Sequence, residues 1–207
     1  MAGAQERVLR RRIGSVGNTK KITRAMELIS ATRVTKAQQR AREARPYATE
    51  ITKVIQDLSA QGTSVDHPLL RQNEDPKVVG VVVLASDRGL AGAYNASVIR
   101  AAEREVQAAR SEGREYRLVC IGKKSSSYFR FRGYTIDAEF EGISDTPVYS
   151  NAREVAGKVA AMFLSEGVER IMLAYTEFVS LGTQKPRVRR FLPLQPSEAI
   201  AEAGDAQ

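Results

Sequence analysis

The 207 residues suffice for one ordinary domain with an extension or for two small domains, and 43% hydrophobic with 27% charged residues is the mix of a globular chain. One cysteine and one histidine exclude an internal disulfide and most metal and triad schemes, and low aromatic content without tryptophan does not point toward a stacking platform for bases. The net charge is +8, yet residues 1–45 hold 12 Lys or Arg against 3 Glu, so the first segment calls for an acidic partner: nucleic acid, anionic lipid or an acidic protein surface.

From Glu6 to Ser59 glycine stops at Gly17, the only proline is Pro46, and apolar residues recur at spacings of three and four, which predicts one long helix. Ala37, Ala41, Ala44, Ala48, Ile51, Ile55 and Leu58 form an unbroken ladder of the kind that makes a coiled-coil seam. Leu9, Ile13 and Val16, and again Ile22, Met26 and Ile29, carry the same spacing. The ladder loses phase between these groups, so the seam drifts around the helix. At about 1.5 Å per residue such a helix reaches on the order of 80 Å and must project from a small domain. Pro46 removes one helical hydrogen bond, and because the ladder keeps phase across it a bend is expected there rather than an end. The alanine steps let a partner helix approach closely while burying little each, so a lone rod lacks the packing that would hold it.

Residues 61–76 are polar with turn formers and read as a linker. Val78 to Ala85 is a β-branched run suited to a strand buried on both faces, followed by a helix from Ala93 to Arg110. A strand at Tyr116 to Ile121, a short helix at Lys124 to Arg132, a helix at Asn151 to Ser165 and a strand at Val168 to Tyr175 come next. Alternating strands and helices imply right-handed crossovers and a mainly parallel sheet, hence an α/β domain over 77–195. Arg187 to Leu194 adds an edge strand, and 196–207 read as a flexible tail. No apolar run is long enough to cross a bilayer, and none follows Met1, so neither membrane insertion nor an export or transit signal is expected.

Chemistry-bearing candidates are few. Ser86-Asp87-Arg88-Gly89-Leu90-Ala91-Gly92-Ala93 sits where a strand hands over to a helix, the place where α/β folds hold phosphate. It lacks the G-x-G-x-x-G spacing, and Gly122-Lys123-Lys124-Ser125 lacks the upstream glycine of a phosphate loop, so a tight turn is expected and no nucleotide. His67 lies in the polar linker beside Pro68, Cys120 lies inside an apolar strand where a thiol is inert, and Glu139 and Glu141 alternate with Phe140 and face solvent. No catalytic residue, cofactor or metal site is read. The remaining signal is the basic helix, whose cations sit on several faces of a structural rod. A nucleic-acid-binding module with a basic helical arm is the alternative reading of that charge, and a phosphate-binding enzyme is a distant third.

Arg12-Ile13-x-Ser15, Thr19-Lys20-Lys21-Ile22-Thr23-Arg24-Ala25-Met26-Glu27-Leu28-Ile29-Ser30-Ala31, Lys36-Ala37, Arg45-Pro46-Tyr47, the Ser86 to Asn95 block and Phe191-Leu192-Pro193-Leu194 together resemble the gamma subunit of bacterial F-type ATP synthases, with Ala91 in the family's usual Cys place. The resemblance implies a long coiled-coil helix beside a Rossmann-like α/β domain that binds no nucleotide. It also implies that the family's second, C-terminal helix is not among these residues. By resemblance the role is that of a non-catalytic central-stalk rotor, coupling proton flow to ATP synthesis in an alpha/beta head. The implied partners are the alpha, beta and epsilon subunits and the membrane c-ring, with the protein peripheral on the cytoplasmic side of a bacterial cell membrane and no nucleic acid bound. The residues that match the family's contact stretch, or extend it along the basic helix, are Lys20, Lys21, Arg24, Met26, Arg33 and Lys36. Cys120 has no counterpart to the redox cysteines of chloroplast members, so no thiol switch is expected.

Overall fold

The computed structural model describes residues 2–60 and 67–194, in two compact units. The first is a single helix, α1, Ala2–Ala60, which runs through Pro46 without interruption. Fifty-nine residues correspond to about 90 Å of rod. Its apolar positions stay in solvent: Leu9 is 57% exposed, Ile13 71%, Ile22 61% and Ile29 53%. Ala37, Ala41, Ala44 and Ala48 are exposed too. What closes locally on α1 is short-range, such as Arg10 with Glu6 at 2.7 Å and Lys53 with Glu50 at 2.9 Å. Exposed pairs of this kind each contribute well under about 1 kcal/mol, so they decorate the helix rather than hold it.

The second unit is a three-layer α/β domain. Its elements are β1 (Val78–Leu84), α2 (Tyr94–Ser111), β2 (Glu115–Ile121), α3 (Lys123–Phe131), β3 (Ala138–Phe140), α4 (Tyr149–Leu164), β4 (Arg170–Ser180) and β5 (Thr183–Leu192). The sheet order is β3-β2-β1-β4-β5, with β1 to β4 parallel and β5 antiparallel to β4. Strand alternation separates two cores. Val81 and Val83 with Leu118 and Cys120 face α2 and α3, where Val98, Ala102, Val106 and Phe129 close the layer. Val82 with Val119, Ile121 and Ile171 faces α4, which contributes Val159 and Met162. A strand buried on both faces has no polar side to show, which is why β1 reads as Val-Val-Gly-Val-Val-Val-Leu.

Two features depart from the sequence reading. The polar stretch ahead of β1 is docked over its second half: Pro68–Leu70 forms a 3-10 turn capped by His67, whose Nδ1 accepts the Leu69 N–H at 3.2 Å. Leu69 packs on the α4-side core, Asn73 donates to Glu169 at 2.8 Å, and Pro76 is buried. The remaining linker residues, 61–66, and the tail at 196–207 lie outside the described residues. The second departure is the β4–β5 hairpin, which extends well past Tyr175 and begins again at Thr183 rather than Arg187. Glu139 and Glu141 are exposed, in line with the alternation, and Arg130 reaches Glu139 at 2.6 Å.

Candidate functional site

Two places carry the candidate residues: α1, and the loop that follows β1. On α1, Lys20, Lys21, Arg24, Arg33 and Lys36 are all exposed, and Met26 is 41% exposed. At about 100° per residue they do not form one patch. Lys20 and Arg24 stand one turn apart on one side, Lys21 flanks them, and Met26, Arg33 and Lys36 occupy the opposite side. Arg24 is paired with Glu27 at 2.7 Å across one turn. The cations are thus spread around the rod, with an apolar stripe interrupting them.

In the second place, the stretch Ser86–Asn95 is shaped by its own side chains. Asp87 Oδ1 accepts the N–H groups of Lys123 at 2.9 Å and Gly142 at 3.0 Å. Its Oδ2 accepts the Ser144 N–H at 2.9 Å and hydroxyl at 2.7 Å. Partial burial pushes this carboxyl upward, but the hydrogen bonds from Gly142, Lys123 and Ser144 outweigh it and hold the pKa at about 2. Asn95 secures the other side, accepting the Ser86 N–H at 2.9 Å and donating to the Arg88 carbonyl at 3.1 Å. Arg88 reaches Asp145 at 2.5 Å. Gly122, with φ at 92°, lets the start of α3 pass against the Ala85 backbone, where any Cβ would collide.

The first amide of α3, after β2, donates to a carboxylate of the protein, so an anion at that helix start would have to displace Asp87. The part Asp87 plays at the start of α3 was not legible in the sequence. Cys120 is fully buried, and burial followed by the nearby Glu139 pushes its thiol up to about 12. Among the described residues no cluster of His, Cys, Asp or Glu could hold a metal ion, and no helix is long and apolar enough to cross a membrane.

The chain thus combines a long cationic helix with an α/β domain whose loop after β1 is held by its own side chains. The family described as ATP synthase matches residues 5–207. The ATP synthase gamma chain of Frankia casuarinae is 46% identical over 202 residues, covering 96% of this chain and 67% of the relative. That of Kineococcus radiotolerans is 42% identical over 211 residues, covering 100% and 69%. The fold is shared with a chain of the central stalk and c-ring structure of Tetrahymena thermophila mitochondrial ATP synthase, with a TM-score of 0.66 at 23% identity, covering 83% of this chain and 72% of that one. The chain belongs to the ATP synthase gamma-chain family.

Proposed function

We propose that this chain is the central-stalk rotor subunit that couples proton flow to rotary ATP synthesis, itself non-catalytic. The observation that carries this reading is the match to gamma chains along nearly the whole sequence, combined with a positive charge concentrated on α1. In this reading α1 pairs with a second helix through its exposed seam and turns within a head of alpha and beta subunits. The α/β domain stands toward the epsilon subunit and the c-ring, on the cytoplasmic side of a bacterial membrane. Lys20, Lys21, Arg24, Met26, Arg33 and Lys36 meet acidic surfaces of the head. Exposed ion pairs worth about 0–1 kcal/mol each suit a surface that must let go at every step. The shaft works by favouring different conformations of the catalytic subunits at different angles, a population shift driven mechanically.

Co-elution with purified alpha and beta subunits tests the reading. The chain is expected to elute with them at low salt, and K20E/K21E/R24E to elute apart. Equal co-elution of the reversed variant would remove these residues from the interface. A chain that ignores alpha and beta yet binds duplex DNA with a steep salt dependence would support the nucleic-acid reading instead.

A further inference from the structure

The α4 side of the sheet carries a surface that the rotor reading does not use. The first half of α4 stands off the strands and leaves an open cleft of about 280 Å³. Its floor is Val82, Ile121, Leu173 and Phe191, and its far wall is Val155 of α4. Leu84, 39% exposed, and Val148, 56% exposed, lie at its rim. The one amide side chain in the lining, Asn151, has its oxygen engaged, since Oδ1 accepts the Val148 N–H at 3.1 Å, and the rest of the lining is apolar. The cleft therefore selects for an apolar group. Its near edge is held by the Ser86 to Asn95 loop, because Asp87 fixes Gly142 and Ser144 and Arg88 fixes Asp145, which flank Ile143 of the lining.

The strand register puts charge beside this cleft. Leu173 lies directly across from Arg189, Tyr175 from Arg187, and Glu177 from Lys185. Leu173 packs with the α4-side core, so by the two-residue alternation of strands all six share that face. Arg189 lies over the Tyr175 ring at 5.5 Å, and Arg187 meets Glu177 at 2.9 Å. Three cations at alternate positions extend about 13 Å along β5 from the cleft, with one acid on β4 among them.

We propose that this surface docks a partner protein segment that is acidic and carries a large apolar anchor residue. The anchor enters the cleft and the carboxylates align along Lys185, Arg187 and Arg189. Two observations favour a peptide over a small amphiphile. The cleft falls just below the roughly 300–1,000 Å³ of small-molecule pockets, and a single headgroup reaches only one end of the cationic row. The proposal concerns residues of the α/β domain alone and does not rest on the rotor reading.

The test uses the full chain and a fluorescent 12-residue peptide alternating Asp and Glu with one central Phe, followed by anisotropy. Ala152→Phe fills the cleft from α4 without altering charge, and R187E/R189E reverses the row. Each is expected to weaken binding at least tenfold, as is replacing the peptide's Phe by Ala. Because α1 also attracts acid, the cleft variant is decisive: a folded Ala152→Phe chain that binds like the parent overturns the proposal. If that variant does not fold, methyl shifts on the parent chain decide instead. Shifts at Val155, Leu173 and Ile121 support the cleft, and shifts confined to residues 10–45 overturn it. Dodecanoate that binds at these methyls while the peptide does not would replace the peptide with an anionic amphiphile and overturn the proposal as stated.

Discussion

Asp87 is the residue on which the α/β domain turns its one sequence motif into structure. Its carboxylate ties the ends of β1, the start of α3 and the segment ahead of α4. Asp87→Ala is expected to cost about 2–4 kcal/mol at neutral pH, since charge-assisted hydrogen bonds are lost and several amides lose their acceptor. The folded-state pKa, about 2, lies below the ordinary 3.8, so this stabilisation is complete above about pH 4 and fades as the pH falls toward 2. Urea melts at pH 7 and pH 2 should show the gap between parent and variant closing in acid. Gly122→Ala should be at least as damaging, about 3 kcal/mol or more, because a strained φ and a backbone collision coincide. Cys120 should resist Ellman's reagent at pH 8 in the folded chain and react only on unfolding, as burial keeps its thiol protonated.

Among the elements, α1 and the α/β domain should differ sharply in protection. Every described seam side chain of α1 is exposed, and isolated helices gain their stability from packing. Hydrogen exchange on the chain by itself should be fast before Arg45 and slow at Val81 to Leu84; equal protection of both would show that α1 has found a partner. The sequence made α1 and the parallel strands legible because both leave continuous apolar signatures, a spacing of three and four in one and unbroken β-branched runs in the other. The outer arm of the β4–β5 hairpin leaves none. Thr176 to Ser180 and Thr183 to Pro186 mix polar and apolar residues, several of them exposed, so hydrogen bonding rather than burial sustains them. Pro186 reads as a boundary, yet an edge strand tolerates a residue that cannot donate. Residues 67–76 read as a linker because a docked segment that is held by Asn73, a 3-10 turn and one buried proline has no periodicity to detect. For the candidate site, the basic residues were visible in composition, but the closure of the loop by Asp87 depends on Gly142 and Ser144, which lie far along the chain.

At the scale of the whole molecule, the proposed rotor function makes a demand on Met26. Within an assembled ATP synthase, Met26→Lys should lower proton pumping per ATP hydrolysed more than it lowers assembly. An ammonium facing an acidic surface at some angles and not others deepens some wells, and at an effective dielectric of about 20 a pair at ~4 Å is on the order of 4 kcal/mol before screening. Met26→Leu keeps the apolar volume and should be nearly silent. Equal pumping ratios for the two variants would show that Met26 does not face such a surface.

Under the proposed rotor function, the drift of the apolar stripe along α1 takes on a mechanical meaning. Leu9, Ile13 and Val16 lie on one side of the helix, Ile22, Met26 and Ile29 roughly 140° around from them, and the alanine ladder back between the two, about 60° from the second. A rod with one straight stripe has the same outline at every height and turns like a bearing pin. A rod whose stripe changes side shows its surroundings a different profile at each height, as a camshaft does, and can push where a pin would only spin. The angular offset between the lobes is then the working part. Inserting one alanine after Ser30 would turn everything on one side of it by about 100° against the other, whereas seven inserted residues would restore the offset to within about 20°. The shaft of this protein would be tuned by phase, and a helix made longer by two whole turns would disturb it less than one made longer by a single residue.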